Sequence, residues 1–447
     1  MKFPAMANMS ANRVSPVIRP TTPRITTMQV LQIGDVHYDH AVEETIGDFQ
    51  DKAFPAVVRK VVSLNPIRCV LRKVASESKH QKFDGILLCG DLASRGDPKE
   101  YLRCVEALRD ALNLRNYETK RLHAVPGNHD IDRAMAGGSD VDSLSNKFSP
   151  FSQAWEQIGI PILTVDTPRS TNISKARTKL QLTSINSAVG CGEKRFLPSG
   201  IRDELDGLLK SYSQTHGGLA GAFDLVGESL DTPAFRQEDV QQICDSIHSL
   251  DSKVLPIVLS HHNLLPQALL RTEMYTELIN SGFVRSRLLK LNRPIIYCHG
   301  HIHSNPVELI EQSGIDNALI VCIAAPELRK GFNILRIYFS SKHYPLGCEV
   351  KQFEIDQRDG GMVEIIRRVP FQITATKPIR TIAHDLLPEI LSQLSDRETR
   401  FSELLRSLKL DSGAIATSLQ EAHWLGLIEV TNPGDEVTTW NFRRLPR

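Results

Sequence analysis

Short apolar runs alternate along this chain with polar, glycine-containing clusters and with stretches of helical spacing. The runs fall at residues 28–33, 85–89, 122–125, 254–259, 294–298 and 319–323. Each is of strand length and mainly apolar, as expected of strands buried on both faces. Between them, Leu102, Val105, Leu108 and Leu112 recur at helical spacing, and Pro98 stands where a helix starts. A second helix is expected over 237–250, leading into the run at 254. This alternation predicts a layered α/β core with a substantially parallel or mixed sheet.

Three stretches depart from that rhythm. Residues 134–235 are less regular, with Gly137-Gly138-Ser139-Asp140 and a Ser/Thr/Lys/Arg-rich run near 169–179. They are expected to insert around the functional site as a lid or side lobe. Residues 332–373 read as successive strands over 333–339, 348–355 and 362–367. Further on, 385–394, 400–408 and 412–425 read as three short helices. The third carries Ile415, Leu419, Ala422 and His423 on one face and ends at Gly426. Ile428 and Val430 then alternate into Pro433-Gly434, and Trp440 and Phe442 alternate out, which is a hairpin pattern. Three helices followed by a hairpin resemble a winged-helix domain. The chain therefore divides into a tail over 1–27, a main domain over 28–375 and a winged-helix-like domain over 378–447.

Composition narrows the classes. Of 447 residues, 41% are hydrophobic and 23% charged, which excludes wholesale disorder and fibrous structure. The net charge of +1 removes any global electrostatic ground for nucleic-acid or membrane binding, leaving only local patches. No apolar run approaches the roughly 18 residues of a membrane helix. Residues 1–27 hold Lys2, Arg13, Arg19 and Arg24 and no acid. Without an apolar segment and with four prolines, they read as a disordered tail rather than a secretory signal. The eight cysteines form no CxxC pair, which points to reduced thiols and a cytoplasmic setting.

The polar clusters share one chemistry. They are Gly34-Asp35-Val36-His37, Gly90-Asp91, Gly127-Asn128-His129-Asp130, His261-His262 and Gly300-His301-Ile302-His303. Each lies just past the C-terminal end of an expected strand, where an α/β sheet gathers its binding site. Asp, Asn and His without Cys suit hard-to-borderline divalent ions. Seven candidate ligands exceed what one tetrahedral ion takes, and they suit two ions of higher coordination sharing a carboxylate. Asp39, His40 and His299 are expected to be supporting or surface groups, and His123 a core or edge histidine.

In order and in content, these five blocks resemble the calcineurin-like metallophosphoesterase superfamily, whose pattern is DxH, GD, GNH(D/E), a lone His and GHxH. The resemblance covers about residues 34–303. It implies an α/β/β/α sandwich and two divalent ions, Mn²⁺ foremost, with Fe, Zn²⁺, Co²⁺ or Ni²⁺ compatible with the same donors. Carried over by position, Asp35, His37 and His303 go to the first ion, Asp91 bridges, and Asn128, His261 and His301 go to the second. His261 is preferred to His262 because it directly follows the strand. His129 is assigned to the phosphoryl group or the leaving oxygen, and Arg95 is a candidate to steady a phosphate oxygen. Where the phosphoprotein phosphatase branch has an aspartate before that arginine, this chain has Ser94, which argues against that branch.

Residues 90–101 with 126–130 are similar to class III cyclic-nucleotide phosphodiesterases and related diesterases. The resemblance thus implies hydrolysis of a phosphodiester in a nucleotide or nucleic acid. A monoester or phosphoprotein phosphatase is the alternative, as is a weakly catalytic subunit that docks a larger assembly. The winged-helix-like segment carries 8 Lys/Arg against 10 Asp/Glu, and none of the Lys/Arg falls in 412–424. A groove reader needs basic residues for phosphates, so a protein contact or self-association is favoured there over DNA.

Overall fold

The computed structural model describes residues 25–38, 66–80, 82–94, 97–112, 121–133, 135–136, 146–159, 165–193, 198–215, 231–266, 277–312, 318–356, 361–371, 377–432 and 436–445. The expected tail, Arg95, Asp39 and His40 lie outside these residues, apart from the last part of the tail.

Twelve strands form two six-stranded sheets. The first contains β1 (Thr26–Ile33), β2 (Gly85–Leu88), β3 (Leu122–Ala124), β10 (Gly331–Phe339), β11 (Pro345–Ile355) and β12 (Met362–Pro370). Its order is β12-β11-β10-β1-β2-β3. The second contains β4 (Arg169–Lys175), β5 (Thr178–Ser184), β6 (Val254–Leu259), β7 (Pro294–His299), β8 (Val307–Glu311) and β9 (Leu319–Ala324), in the order β4-β5-β6-β7-β9-β8. In the first sheet β1-β2-β3 run parallel, and β10, β11 and β12 extend it antiparallel. In the second, β5-β6-β7-β9 are parallel between antiparallel edges.

The apolar runs explain the layering, because a strand's side chains alternate between its two faces. Val30, Leu87 and Cys89 point into the space between the sheets, where they meet Leu182, Leu255, Ile257, Ile296 and Val321. Leu31, Ile33, Ile86 and Leu88 point the other way. They are covered by α1 (Pro66–His80), α2 (Pro98–Leu112) and α3 (Ser149–Gln157), through residues such as Val70, Tyr101, Leu108 and Trp155. After α4 (Ser199–Thr215) come α5 (Gln237–His248) and α6 (Ser281–Leu289), which cover the outer face of the second sheet through Ile243, Ile247, Val284 and Leu288. The result is α/β/β/α, as the runs buried on both faces require.

One expectation has to be divided. Within 134–235, β4 and β5 are strands of the second sheet, and Ile173, Leu180 and Leu182 sit in the inter-sheet core. That portion is framework rather than lid, and its exposed, charged β4 hid the strand character from a reading based on apolar runs. His123 is fully buried and joins the sheets, with its ring nitrogens 3.1 Å from Ser184 Oγ and 2.5 Å from Thr171 Oγ1.

The C-terminal segment forms α7 (Ile379–Ile382), α8 (Leu387–Gln393), α9 (Phe401–Leu408) and α10 (Ser412–Trp424), with β13 (Thr399–Arg400), β14 (Ile428–Val430) and β15 (Asn441–Arg444). The three strands make a small sheet in the order β13-β15-β14. Asp411 caps α10 by accepting from Ala414 N at 2.9 Å. Its core is continuous with that of the sandwich: Ile382, Leu387, Ile415, Leu419 and Phe442 pack in one cluster with Leu346, Cys348 and Phe371. Helix α10 is therefore buried on nearly all sides, and only Ser412 at its start is exposed. Trp424 lies on Gly347 and against Tyr338, ring centroids 4.6 Å apart. Buried Glu421 accepts from Ser341 N at 2.7 Å and His384 N at 2.6 Å.

Gly347 marks how close this approach is, since a Cβ there would stand 2.4 Å from Trp424 Cε3. Gly347→Ala is expected to destabilise the protein by about 1–3 kcal/mol through overpacking. Trp424→Ala is expected to cost about 3–5 kcal/mol through the cavity it leaves. Because the core is shared, denaturant melts followed by circular dichroism should shift as one transition, without an early step for residues 378–445.

Candidate metal centre

The five polar blocks follow β1, β2, β3, β6 and β7, so the parallel strands of both sheets deliver them to one end of the sandwich. Backbone bonds stitch the loops together beyond the strands. Asp35 N donates to Gly90 O (3.1 Å), His37 N to Asp91 O (2.9 Å) and Gly300 N to His261 O (3.0 Å). Asp35, His37, Asp91, His301 and His303 all have positive φ, between 42° and 70°. Non-glycine residues hold such conformations at a cost of order 1–3 kcal/mol each, and they cluster where function requires them. The i, i+2 pairs therefore share a turned backbone at both Asp35/His37 and His301/His303. Glycine makes the approach possible: a Cβ on Gly127 would stand 2.1 Å from Asp91 Oδ1, and one on Gly300 would stand 2.7 Å from Asp35 Oδ2.

Two groups of donor atoms result, each within 4.8 Å of one another. The first is Asp35, His37, Asp91 and His303. Here His37 Nε2 lies 3.1 Å from His303 Nε2 and 3.8 Å from Asp91 Oδ2, and His303 Nε2 lies 3.7 Å from Asp35 Oδ1. The second is His261, His262 and His301. Asp91 stands next to both, since its Oδ2 is 3.2 Å from His261 Nε2. Asn128 Oδ1 is 3.1 Å from the same Nε2. The Nδ1–H of His261 donates to Cys89 O at 2.7 Å, which leaves Nε2 facing Asp91 and Asn128. His262 engages Ser187 Oγ through Nδ1 at 2.8 Å, which leaves its Nε2 within the second group, and its ring stacks obliquely on His301, with centroids 4.5 Å apart.

Charge explains what the arrangement lacks and what it accepts. Burial, reinforced by the Asp91 charge, pushes the Asp35 carboxyl well above its usual range. Burial also works against an Asp91 charge, yet His261, His129 and His37 hold that carboxyl well below the usual range. Burial alone would lower His261, but the Asp91 carboxylate raises it to about 9. Burial brings His37 down to about 4, with His129 and His303 adding to it. A proton on His261 thus meets the negative field that a cation would meet. The carboxylate oxygens of Asp35 and Asp91 are surrounded by backbone N–H groups and histidines. Oxygen and imidazole donors in this number, around two buried carboxylates, fit two divalent cations.

His129 belongs to neither group. Its N–H donates to Asp91 Oδ1 (2.9 Å) and its ring Nδ1 to Ser94 O (3.1 Å), and its ring stands edge-on to His37 at 5.0 Å. Nε2 is thereby left for a bound molecule. Ser94 occupies the place of a carboxylate orienter, and its backbone carbonyl does the orienting.

Supporting residues surround these donors; Asp130 and His299 stand in or beside the polar blocks, while Asp231, Arg133 and Glu327 had no signal in the sequence. Asp130 is fully buried and accepts from Leu92 N, Ala93 N, Tyr101 Oη and Gly127 N, at 2.5–3.1 Å. It fastens the Asp91 loop to the Asn128 loop, and burial next to Asp91 raises it to about 6. Asp231 receives both Arg133 Nη atoms at 2.8 and 3.0 Å and the Asn128 amide at 3.3 Å, so that Asn128 Oδ1 is turned toward His261. Asp231 lies 103 residues from Asn128, in a stretch without periodicity, and only the fold reveals it. Glu327, paired with Arg329 and Lys330, contributes negative charge beside His303. His299 is buried, and burial lowers it to about 4.

Losing a partner that orients a ligand typically costs 10–100-fold in metal affinity. Asp231→Ala is therefore expected to weaken one of two Mn²⁺ sites by about that factor and leave the other nearly unchanged, as read by titration calorimetry. Saturating Mn²⁺ should also raise the melting temperature of the wild type, by the equivalent of about 2.7 kcal/mol at a hundredfold excess over Kd.

Comparison with known proteins gives a family and several similar chains. The family model described as calcineurin-like phosphoesterase matches residues 28–305. Over 128 residues the chain is 30% identical to an uncharacterized metallophosphoesterase-like protein, YydB, of Bacillus subtilis strain 168; the alignment covers 28% of this chain and 22% of that protein. A dimetal phosphatase from Danio rerio aligns at 13% identity with a TM-score of 0.44, over 77% of this chain and 99% of that one. The NAD nucleotidase of Haemophilus influenzae aligns at 11% identity with a TM-score of 0.39, over 91% of this chain and 62% of that one. The family match spans every polar block from Asp35 to His303, and the chain belongs to the calcineurin-like phosphoesterase family.

Proposed function

We propose that this protein hydrolyses a phosphodiester bond in a nucleotide or nucleic acid, using two divalent cations at the centre just described, Mn²⁺ foremost. The observation that carries the reading is Asp91: one buried carboxylate contacts histidines of both donor groups and fixes the backbone of His129 beside them. Asp35, His37, Asp91 and His303 would hold one ion; Asp91, Asn128, His261 and His301 the other. Bound there, two cations neutralise an ester's phosphoryl oxygens and lower the pKa of the attacking water.

The chain's own groups then have defined tasks. His129, anchored on Ser94 O, presents Nε2 to the leaving oxygen or a phosphoryl oxygen. Its part as acid is worth ~10²–10⁴-fold. Asn128 is oriented by Asp231 and Arg133, so its oxygen rather than its amide faces the centre. Arg95 is assigned to a phosphate oxygen on the family pattern. Ser94 in place of an aspartate supports a diesterase over a phosphoprotein phosphatase. The C-terminal segment is read as a winged helix that braces the sandwich: α10 is covered by the chain's own core, which supports that role over insertion into DNA. Among the described residues no helix is long and apolar enough to cross a membrane. All eight thiols are free and seven are buried, which supports a reducing, cytoplasmic setting.

The test is hydrolysis of bis-p-nitrophenyl phosphate beside p-nitrophenyl phosphate, with Mn²⁺ added. Diester cleavage is expected, abolished in Asp91→Ala. His129→Ala should lower kcat by ~10²–10⁴-fold while two Mn²⁺ per chain still bind. Cleavage of the monoester alone would replace the diesterase by a monoester phosphatase.

A further inference from the structure

Strand β12 is the outer strand of the first sheet among the described residues, and it is unusual for an edge. Val363, Ile365 and Ile366 are 39%, 37% and 47% exposed, and apart from Val369 the strand is covered by little. Its register on β11 fixes which backbone groups are free. Asp356 N donates to Gly361 O (2.7 Å) and Phe371 N to Leu346 O (2.8 Å), and the pairing between them is unbroken. In an antiparallel ladder, hydrogen-bonded and non-hydrogen-bonded pairs alternate. Residues 363, 365, 367 and 369 therefore bond to β11, and Met362, Glu364, Ile366 and Arg368 turn their peptide groups outward.

We infer that the protein forms a two-fold symmetric dimer in which β12 pairs antiparallel with β12 of a second copy, centred on Ile366. Centred there, Ile366 faces Ile366 of the second copy in a hydrogen-bonded pair, which is the class of pair its outward peptide groups demand. Glu364 then stands opposite Arg368, twice by symmetry, on the same face as the Ile366 pair. On the other face Ile365 lies along Arg367, and Val363 against Val369. Shifting the centre to Arg367 sets Arg367 against itself and brings Pro370, which has no N–H, opposite Glu364. Shifting it to Ile365 leaves Glu364 facing Ile366. Only the Ile366 register satisfies both the ladder and the charges. Lys351 and Glu349 on β11 already hold Glu364 (2.6 Å) and Arg368 (3.2 Å) in extended positions on that face. Edge strands that refuse partners carry charge or proline along their centre. Here the central charges Glu364 and Arg368 are of opposite sign and meet across the Ile366 register, so they favour one partner instead of refusing all, and the proline comes last, where it ends the ladder.

A closed two-fold contact between identical patches is the commonest form of self-association, and opposite charges directly across a strand pair favour one register. The pairing would join two six-stranded sheets into one continuous sheet.

The experiment is sedimentation velocity on the full chain over a hundredfold range of concentration. The wild type is expected to populate a dimer. Glu364→Arg sets arginine against arginine and Arg368→Glu sets glutamate against glutamate, so each alone should weaken the dimer by roughly tenfold or more. An equimolar mixture of the two variants should restore it, because one chain then supplies two arginines and the other two glutamates. Ile366→Pro removes the central outward N–H and should leave monomers, with an unchanged far-ultraviolet circular dichroism spectrum as the check on folding. A wild type that stays monomeric throughout, single variants that dimerise as the wild type does, or a mixture that fails to recover would each overturn the inference.

Discussion

Two carboxylates, Asp35 and Asp91, are buried side by side at the ends of adjacent strands, and the rest of the site answers to that placement. A buried carboxylate without compensation is costly, and two together repel. The fold compensates Asp91 with histidines and Asp35 with the His301 N–H. That compensation stays partial, because Asp35 remains pushed above its ordinary range. A centre so arranged offers a negative field and a set of oxygen and imidazole donors that suits cations. The left-handed backbone at five of its donor residues is the conformational cost of aiming them at one place. Gly127 and Gly300 let the loops approach within distances no side chain would allow.

How far the sequence disclosed this can be traced residue by residue. The apolar runs announced six strands of the sandwich because both their faces are buried, and that leaves a pattern no surface strand shows. Strand β4 stayed hidden because six of its seven residues are exposed or partly so and its sequence is polar. The same contrast holds at the site. Donor residues were legible because the chemistry confines them to short blocks after strands. Asp231 and Arg133 were not, because a positioning pair can come from any part of the chain that the fold brings near. Asp130 lay inside a recognised block, but nothing in its letter told that four donors converge on it. Arg95 remains an assignment by position alone.

The C-terminal segment shows how charge counting and packing address different questions. Its acidic balance, and a third helix without lysine or arginine, argued against groove reading. The structure adds a stronger reason, since Ala414, Ile415, Leu419, Ala422 and Trp424 of that helix are all buried. An amphipathic face predicts burial against something; it does not say whether the cover is a partner or the chain itself. Here the cover is strand β11 and its turn, and Glu421 secures the junction by accepting from Ser341 N and His384 N.

The donor groups draw on both sheets. Asp35, His37, Asp91 and Asn128 follow strands of the first sheet; His261, His301 and His303 follow strands of the second. Each proposed ion site is thus bipartite, and a slip of one sheet over the other by a fraction of a residue would open both. Apolar packing between sheets is poor at preventing such a slip, since it is non-directional. The structure meets this need directly below the centre with two fully buried amides. Gln32 Nε2 donates to Ile323 O (2.9 Å) and His299 O (3.2 Å), while Asn333 Nδ2 donates to Ala324 O (2.8 Å) and Gln32 Oε1 (3.1 Å). These amides stand on β1 and β10, and their carbonyl partners stand at the ends of β7 and β9. Directional bonds to backbone atoms set the offset between the sheets where the metal ligands begin. Fully buried Gln32 and Asn333 are explained by that role: they give up some hydrophobic burial to fix a register that dispersion and hydrophobicity leave loose.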